Sequence, residues 1–243
     1  MIRFKPMAAM TCAAAVALSL AAPGVAQADD AAPPTLSRAG LGAARTSVDN
    51  EFFAGYVADL GRKKSIVGTF TVPTLDCTGT PDSGIMSIIE IASTGGVDYA
   101  DGAVFSYCSG GAPTHNPVFD ISTGQIAIPE VVEDGDRIKV TSNVNSGTIK
   151  IKVENLTQGW IATQNVTGIP AQEASSLQYR FDLGDGVTLP AYDYGTLPVK
   201  GVMIGGKTLK QTNPTKYNMV VDGNPVIKPG RIRGTDFKYA YVG

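Results

Sequence analysis

Three observations predict an all-β fold, a sandwich or a barrel. From Asn50 onward, β-branched and aromatic runs recur, and many of them alternate apolar with polar residues. Clusters of Gly, Asn, Asp and Pro separate those runs. No stretch longer than two turns carries clean helical amphipathicity, which disfavours an α/β architecture.

The N-terminus stands apart from that pattern. Arg3 and Lys5 precede an apolar run from Met7 to Ala22, rich in Ala and Leu. The run is shorter than the roughly 18–20 apolar residues of a bilayer-spanning helix, and it ends in Val25-Ala26-Gln27-Ala28, a small-residue cleavage site. Residues 1–28 read as a secretory signal peptide, with a retained anchor as the alternative, and a secreted, extracellular protein is expected. Residues 29–48, small, polar and proline-containing, read as a flexible leader or vestigial pro-segment. Residues 49–243 read as one β domain.

Without residues 1–28 the chain has 215 residues (243 − 28), with 18 Lys+Arg (20 less Arg3 and Lys5) against 22 Asp+Glu. The resulting charge of −4 argues against a generic nucleic-acid binder, which needs a basic footprint. No second apolar span follows, so no membrane association is expected after signal removal, and the expected state is a monomer. Cys12 leaves with the signal, and Cys77 and Cys108 remain in a compartment where disulfides persist. They are expected to pair, closing a loop of about thirty residues for roughly 3–4 kcal/mol; two separate buried thiols are the alternative.

Strands are expected in SIVGTFTVP (65–73), IMSIIEIAS (85–93), GAVFSYC (102–108), PVFDIS (117–122), DRIKVTSNV (136–144), GTIKIKVENLT (147–157) and YNMVVDG (217–223). In GTIKIKVENLT, Ile149, Ile151 and Val153 alternate with Thr148, Lys150, Lys152 and Glu154, giving one buried and one wet face. Turns are expected at Glu133-Asp134-Gly135-Asp136, Asn145-Ser146-Gly147, Asp185-Gly186 and Asp222-Gly223, and at the paired glycines Gly95-Gly96 and Gly110-Gly111.

Catalytic apparatus is sparse. His115 is the single histidine, in the Gly/Pro/Asn-rich GGAPTHNP, and reads as a solvated loop residue rather than a triad member. No two-histidine metal spacing, P-loop or dinucleotide fingerprint is present, so neither metal nor cofactor is expected. Asp182 and Asp185 in FDLGDG read as a turn in preference to a calcium site. Asn155-Leu156-Thr157 and Asn165-Val166-Thr167 are glycosylation sequons. Trp160, Tyr179, Tyr192 and Tyr194 read as packing residues, with a carbohydrate platform as the alternative.

NEFFAGYVA (50–58) followed by VGTFTVPT (67–74) resembles the N-terminal signature of the glutamic peptidases, the eqolisin family. EDGDRIKVTSNV (133–144), GTIKIKVENLTQG (147–159) and the tail from LPVKGVMIGGKTL through TDFKYAYVG keep that family's order, so the resemblance covers about residues 48–243. It implies a bent two-sheet antiparallel β-sandwich of concanavalin-like lectin/glucanase type, with a cleft across the concave sheet. It also implies acid proteolysis by a Glu that activates water and a Gln amide that stabilises the oxyanion.

Aligned on the resemblance, the sequence departs from that dyad. Phe105 falls where the Gln is expected, Gln178 where the Glu is expected, and Ile88 at the cleft tryptophan. Neither Phe105 nor Gln178 performs the replaced role. The expected protein is a non-catalytic homologue that binds a polypeptide or glycan in its cleft. The first alternative is an acid endopeptidase with a relocated Glu90/Gln178 pair, against Glu90 being solvated or paired with Arg180. Asp120 is a weaker candidate, matching a secondary acid of the family. The second alternative is a structural cell-surface protein.

Overall fold

The computed structural model describes residues 47–62, 64–78, 82–180 and 189–243. The expected signal peptide, most of the leader, and Asp182 and Asp185 lie outside them. In chain order the strands are β1 (Ser47–Asn50), β2 (Phe53–Asp59), β3 (Ser65–Thr71), β4 (Ser83–Ala92), β5 (Tyr99–Ser109), β6 (Ala112–Ile121), β7 (Gly124–Ala127) and β8 (Arg137–Asn145). There follow β9 (Thr148–Asn155), β10 (Ile161–Thr167), β11 (Glu173–Tyr179), β12 (Thr196–Ile204), β13 (Lys207–Thr208), β14 (Thr215–Val221), β15 (Asn224–Pro229) and β16 (Phe237–Tyr241). A single 3-10 turn, Leu209–Thr212, is the only helical element among the described residues.

All strands join one hydrogen-bonded path, β10-β9-β8-β3-β12-β16-β15-β14-β2-β11-β4-β5-β6-β7, with β1 and β13 attached to its side. Every pairing is antiparallel except β1 on β14. The path doubles over, so β2, β11, β4, β5, β6 and β7 form one layer and β12, β3, β8, β9 and β10 the other. The sandwich is therefore one bent sheet with β14, β15 and β16 carrying the hydrogen bonds around the fold.

Alternation places the core. From β4, Ile85, Ile89 and Ile91 point inward to meet Ile138 and Val140 of β8 and Ile149, Ile151 and Val153 of β9. Ile88 and Met86 point outward and join Phe53, Ala103, Val118, Leu177 and Leu189 in a second cluster. Being buried on both faces, β4 reads in sequence as a nearly continuous apolar run. The layers approach closely at two glycines. A Cβ on Gly102 would stand 2.6 Å from Val153 Cγ2 and 2.9 Å from Val140 Cγ1, and one on Gly68 would stand 2.9 Å from Ile89 Cδ1.

Two paired-glycine turns fix the register of the first layer. The β4–β5 register is symmetrical about Gly95-Gly96, so Glu90 lies opposite Asp101. The β5–β6 register is symmetrical about Gly110-Gly111, so Asp101 lies opposite Asp120. Gly110 and Gly111 form a two-residue loop with φ of 58° and 79°, the left-handed pair that a type I′ hairpin requires.

The segment read as a loop around His115 is instead strand, because β6 begins at Ala112. Its Pro113 and Pro117 are tolerated because β7 pairs only with residues 118–121, leaving the rest of β6 at the sheet edge. Cys77 and Cys108 are disulfide-bonded with Cα atoms 5.4 Å apart. The bridge is buried with Leu75 and Tyr192.

Gly102→Ala is expected to destabilise the chain by about 1–3 kcal/mol through overpacking between the layers. Gly110→Ala, where a Cβ meets nothing within 4 Å, should cost only the left-handed backbone penalty of about 1–2 kcal/mol. Urea unfolding midpoints of the two variants check both values.

Candidate active site

On the outer face of the first layer, neighbouring strands bring chemically active residues into one row. Ser175 of β11 lies opposite Glu90 of β4, Glu90 opposite Asp101 of β5, and Asp101 opposite Asp120 of β6. Gln125 of β7 lies opposite Asp120 at the end of the row. Directly opposed residues share a face with Cβ atoms about 4.5–5.5 Å apart, so Asp101 has a carboxyl neighbour on each side.

All three are buried: Glu90 is 7 % exposed, Asp101 1 % and Asp120 6 %. Ser175 Oγ donates to Glu90 Oε1 at 2.8 Å. Asp101 Oδ1 is buried without a hydrogen-bond partner among the described residues. Burial first, then the neighbouring charges of Asp120 and Glu173, push Glu90 up to about 7 against the opposing bond from Ser175. Burial, reinforced by Asp120 and Glu90, holds Asp101 well above the usual carboxylate range. Burial also raises Asp120, opposed by a hydrogen bond from Gln125. Tyr99 is raised by burial and then by Asp120, Asp101 and Glu90, and its phenol stays protonated.

Adjacent carboxyls in a dry site cannot all ionise together. The row therefore retains protons well above the ordinary carboxylate range, pairing an acceptor with a proton donor on the neighbouring strand. Such a pair can take a proton from water and return one to a leaving group.

The row does not contain Gln178. That residue lies opposite Ser87, one face over from Glu90, because β4 alternates between Ser87 and Glu90. Its Nε2 donates to Ser87 Oγ at 3.3 Å and its Oε1 accepts from the Tyr194 hydroxyl. The proposed Glu90/Gln178 pair is thus split across the two faces of one sheet. Gln178 is an interior structural amide, 1 % exposed. Arg180 does not pair with Glu90 either; its Nε donates to Leu189 O at 3.5 Å. Phe105 shares the outer face with Asp101 and packs, partly exposed, against the buried cluster that holds Ile88.

His115 corrects the reading of a solvated loop residue. Its side chain is 6 % exposed. Its Nε2 donates to Asp134 Oδ1 at 2.8 Å, and Nδ1 lies 2.9 Å from Ser106 Oγ. These are the residue types of a serine-protease triad, but Ser106 lies opposite Ile85 and faces the sandwich interior, on the other side of the sheet from the carboxyl row. The trio clamps the β5–β6 hairpin to the 133–136 turn.

The other candidates disperse. Trp160 Nε1 donates to Val131 O at 2.8 Å, while Tyr192 and Tyr194 pack beside the disulfide and the Tyr194 hydroxyl donates to Gln178, so all three serve as packing residues. Asn155 is buried and its amide donates to Asp136 Oδ2 at 2.7 Å, which makes that sequon a structural turn. Among the described residues no group of three or more His, Cys, Asp and Glu is arranged to hold a metal ion.

Sequence reasoning overlooked Asp101. Its signal was the symmetry of the hairpin: with the turn centred on Gly95-Gly96, Glu90 and Asp101 must face one another.

The Peptidase A4 family profile matches residues 51–240. Scytalido-glutamic peptidase bound to a peptide-based transition-state analogue superposes with a TM-score of 0.66 at 15% identity, covering 79% of this chain and 98% of that one. SCP-B, an eqolisin-family peptidase in complex with the tripeptide Ala-Ile-His, gives 0.63 at 16% identity over 79% and 98% of the two chains. Aspergilloglutamic peptidase from Aspergillus niger gives 0.57 at 18% identity over 66% and 99%. No curated protein matches in sequence.

The raised carboxyls set the direction of pH dependence. A carboxyl whose folded pKa exceeds its unfolded value stabilises the fold fully below the unfolded value and ceases to do so as pH rises through the folded one. For Glu90, between 4.5 and about 7, this amounts to about 3 kcal/mol. Asp76, Glu154 and Asp236, whose carboxyls are lowered, act with the opposite sign and only below the ordinary carboxylate range. The melting temperature is therefore expected to fall between pH 4.5 and 7.5, and Glu90→Gln should flatten that slope; calorimetry across this range measures both.

Proposed function

Because the chain belongs to the Peptidase A4 family, we propose that it is a secreted protein that hydrolyses polypeptides in acid with a carboxyl pair, Glu90 and Asp101, in place of an acid/amide dyad. The observation that carries this reading is the buried row Glu90-Asp101-Asp120 on the outer face of the first layer. In the singly protonated pair, the ionised carboxylate takes a proton from water as the water oxygen bonds to the peptide carbonyl carbon. The protonated neighbour hydrogen-bonds the carbonyl oxygen as negative charge develops there. The carbon–nitrogen bond then breaks, and the proton taken from water passes to the departing amine.

Ser175 holds Glu90 in place through its hydroxyl, and Asp120 keeps the proton population of the pair high by its adjacent charge. The signal-like N-terminus and the Cys77–Cys108 disulfide support an extracellular setting.

A second reading, binding of a polypeptide or glycan without turnover, draws on the partly exposed rim of the second apolar cluster, Val57, Phe105, Tyr107, Tyr179 and Tyr217. Phe53 is buried beneath that rim, its ring centroid 5.1 Å from that of Tyr179 and 5.1 Å from that of Tyr217, both tilted against it. Such a rim would meet an extended chain whether or not it is cut.

Purified mature chain incubated with an unfolded protein substrate from pH 2 to 8 separates the two. Acid-dependent cleavage that declines as pH rises through about 7 is expected, where Glu90 ionises beside its neighbours. Glu90→Gln and Asp101→Asn should each lower kcat by roughly 10²–10⁴-fold while circular dichroism stays unchanged. Saturable binding with no cleavage at any pH by a folded, disulfide-intact sample would establish the second reading.

A further inference from the structure

A cavity of about 250 Å³ opens away from the carboxylate row, lined by Tyr56, Lys210, Asn213, Pro214, Lys216, Arg231 and Ile232. Four elements meet there. Tyr56 projects from the inner face of β2, and Lys216 of β14 stands directly opposite it on that face. Lys210 lies in the 3-10 turn, whose position is fixed by its backbone N–H donating to Gly234 O at 3.0 Å. Arg231 follows β15 immediately after Gly230, whose carbonyl accepts from the Tyr56 hydroxyl at 2.5 Å.

Three cations thus converge on one small cavity, and among the described residues no carboxylate lines it. None of the three forms a salt bridge among the described residues. Lys216 is half-buried, and burial together with the charge of Lys228 lowers its ammonium from the ordinary lysine value. Gathering uncompensated cations raises the energy of the empty chain. An anion placed among them removes that repulsion.

We propose that this cavity is a binding site for a tetrahedral oxyanion, the phosphate or sulfate group, free or as a monoester. Arg231 supplies a planar fork that pairs two oxygens at once, while Lys210 and Lys216 supply point charges from the other sides. The cavity is smaller than the roughly 300–1,000 Å³ of sites for drug-sized ligands, which suits a single anionic group. Ile232 and Pro214 give an apolar wall against which the ester substituent of a monoester would rest. The site is independent of acid catalysis, because Tyr56 faces the interior of the fold and the carboxylate row faces outward.

Isothermal titration of inorganic sulfate, inorganic phosphate and phenyl phosphate into the mature chain at neutral pH, with chloride holding ionic strength constant, tests the proposal. One saturable site per chain is expected. Lys216→Met and Arg231→Met should each weaken binding at least about tenfold, as removal of a charge-assisted bond worth about 1.5–3 kcal/mol requires. Tighter binding of phenyl phosphate than of the inorganic ions would identify a monoester as the ligand, and the reverse order a free ion. Absence of saturable binding by all three, or undiminished binding by both variants, would overturn the proposal. Arg231 is exposed, so its variant reports even where Lys216→Met fails to fold.

Discussion

The register of two hairpins governs the chemistry of this protein. The β4–β5 and β5–β6 turns are each centred on a pair of glycines, and the resulting pairings put Glu90, Asp101 and Asp120 side by side. A slip of one residue in either hairpin would turn a carboxyl toward Ile89, Val140 and Val153 in the core, at a cost no sandwich of this size would tolerate. Register and acidity are therefore one constraint.

The fold holds that register from several directions. At the Gly110-Gly111 end, the Cys77–Cys108 disulfide ties β5 to the 72–77 segment, and the Ser106-His115-Asp134 bonds tie β5 and β6 to the 133–136 turn. Beneath the row, Gly102 lets β5 settle against Val140 and Val153, and Gly68 admits Ile89 between the layers. Beside it, the Ser175 hydroxyl donates to Glu90 Oε1. Burial on this support raises the carboxyls above the range of free ones.

The same geometry separates Glu90 from Gln178. Gln178 occupies the inner face, where its amide joins Ser87 to Tyr194 and stitches β11 into the core. The outer face of β11 presents Ser175 at the height of Glu90, which orients a carboxylate without replacing one. Membership of the Peptidase A4 family and superposition on glutamic peptidases account for the architecture. The local side chains on β4, β5 and β6 account for the chemistry proposed here.

Period-two alternation, turn residues and the absence of helical periodicity were enough to determine an all-β fold, and the family resemblance narrowed a sandwich or barrel to a sandwich. The motifs around Asn50 and Val67 were enough to identify the family. These are local properties, written in neighbouring residues. The face on which Glu90 stands was also local, since Ile88 two positions away shares it. What the tertiary structure alone decided was which strand lies beside which, and at what register. Aligning Gln178 by motif put it in the cleft, whereas its pairing with Ser87 put it in the core. The loop reading of His115 gave way because Ser106 and Asp134, distant in sequence, converge on it. Long-range pairing is settled by the summed packing of two layers, which no short stretch of sequence contains.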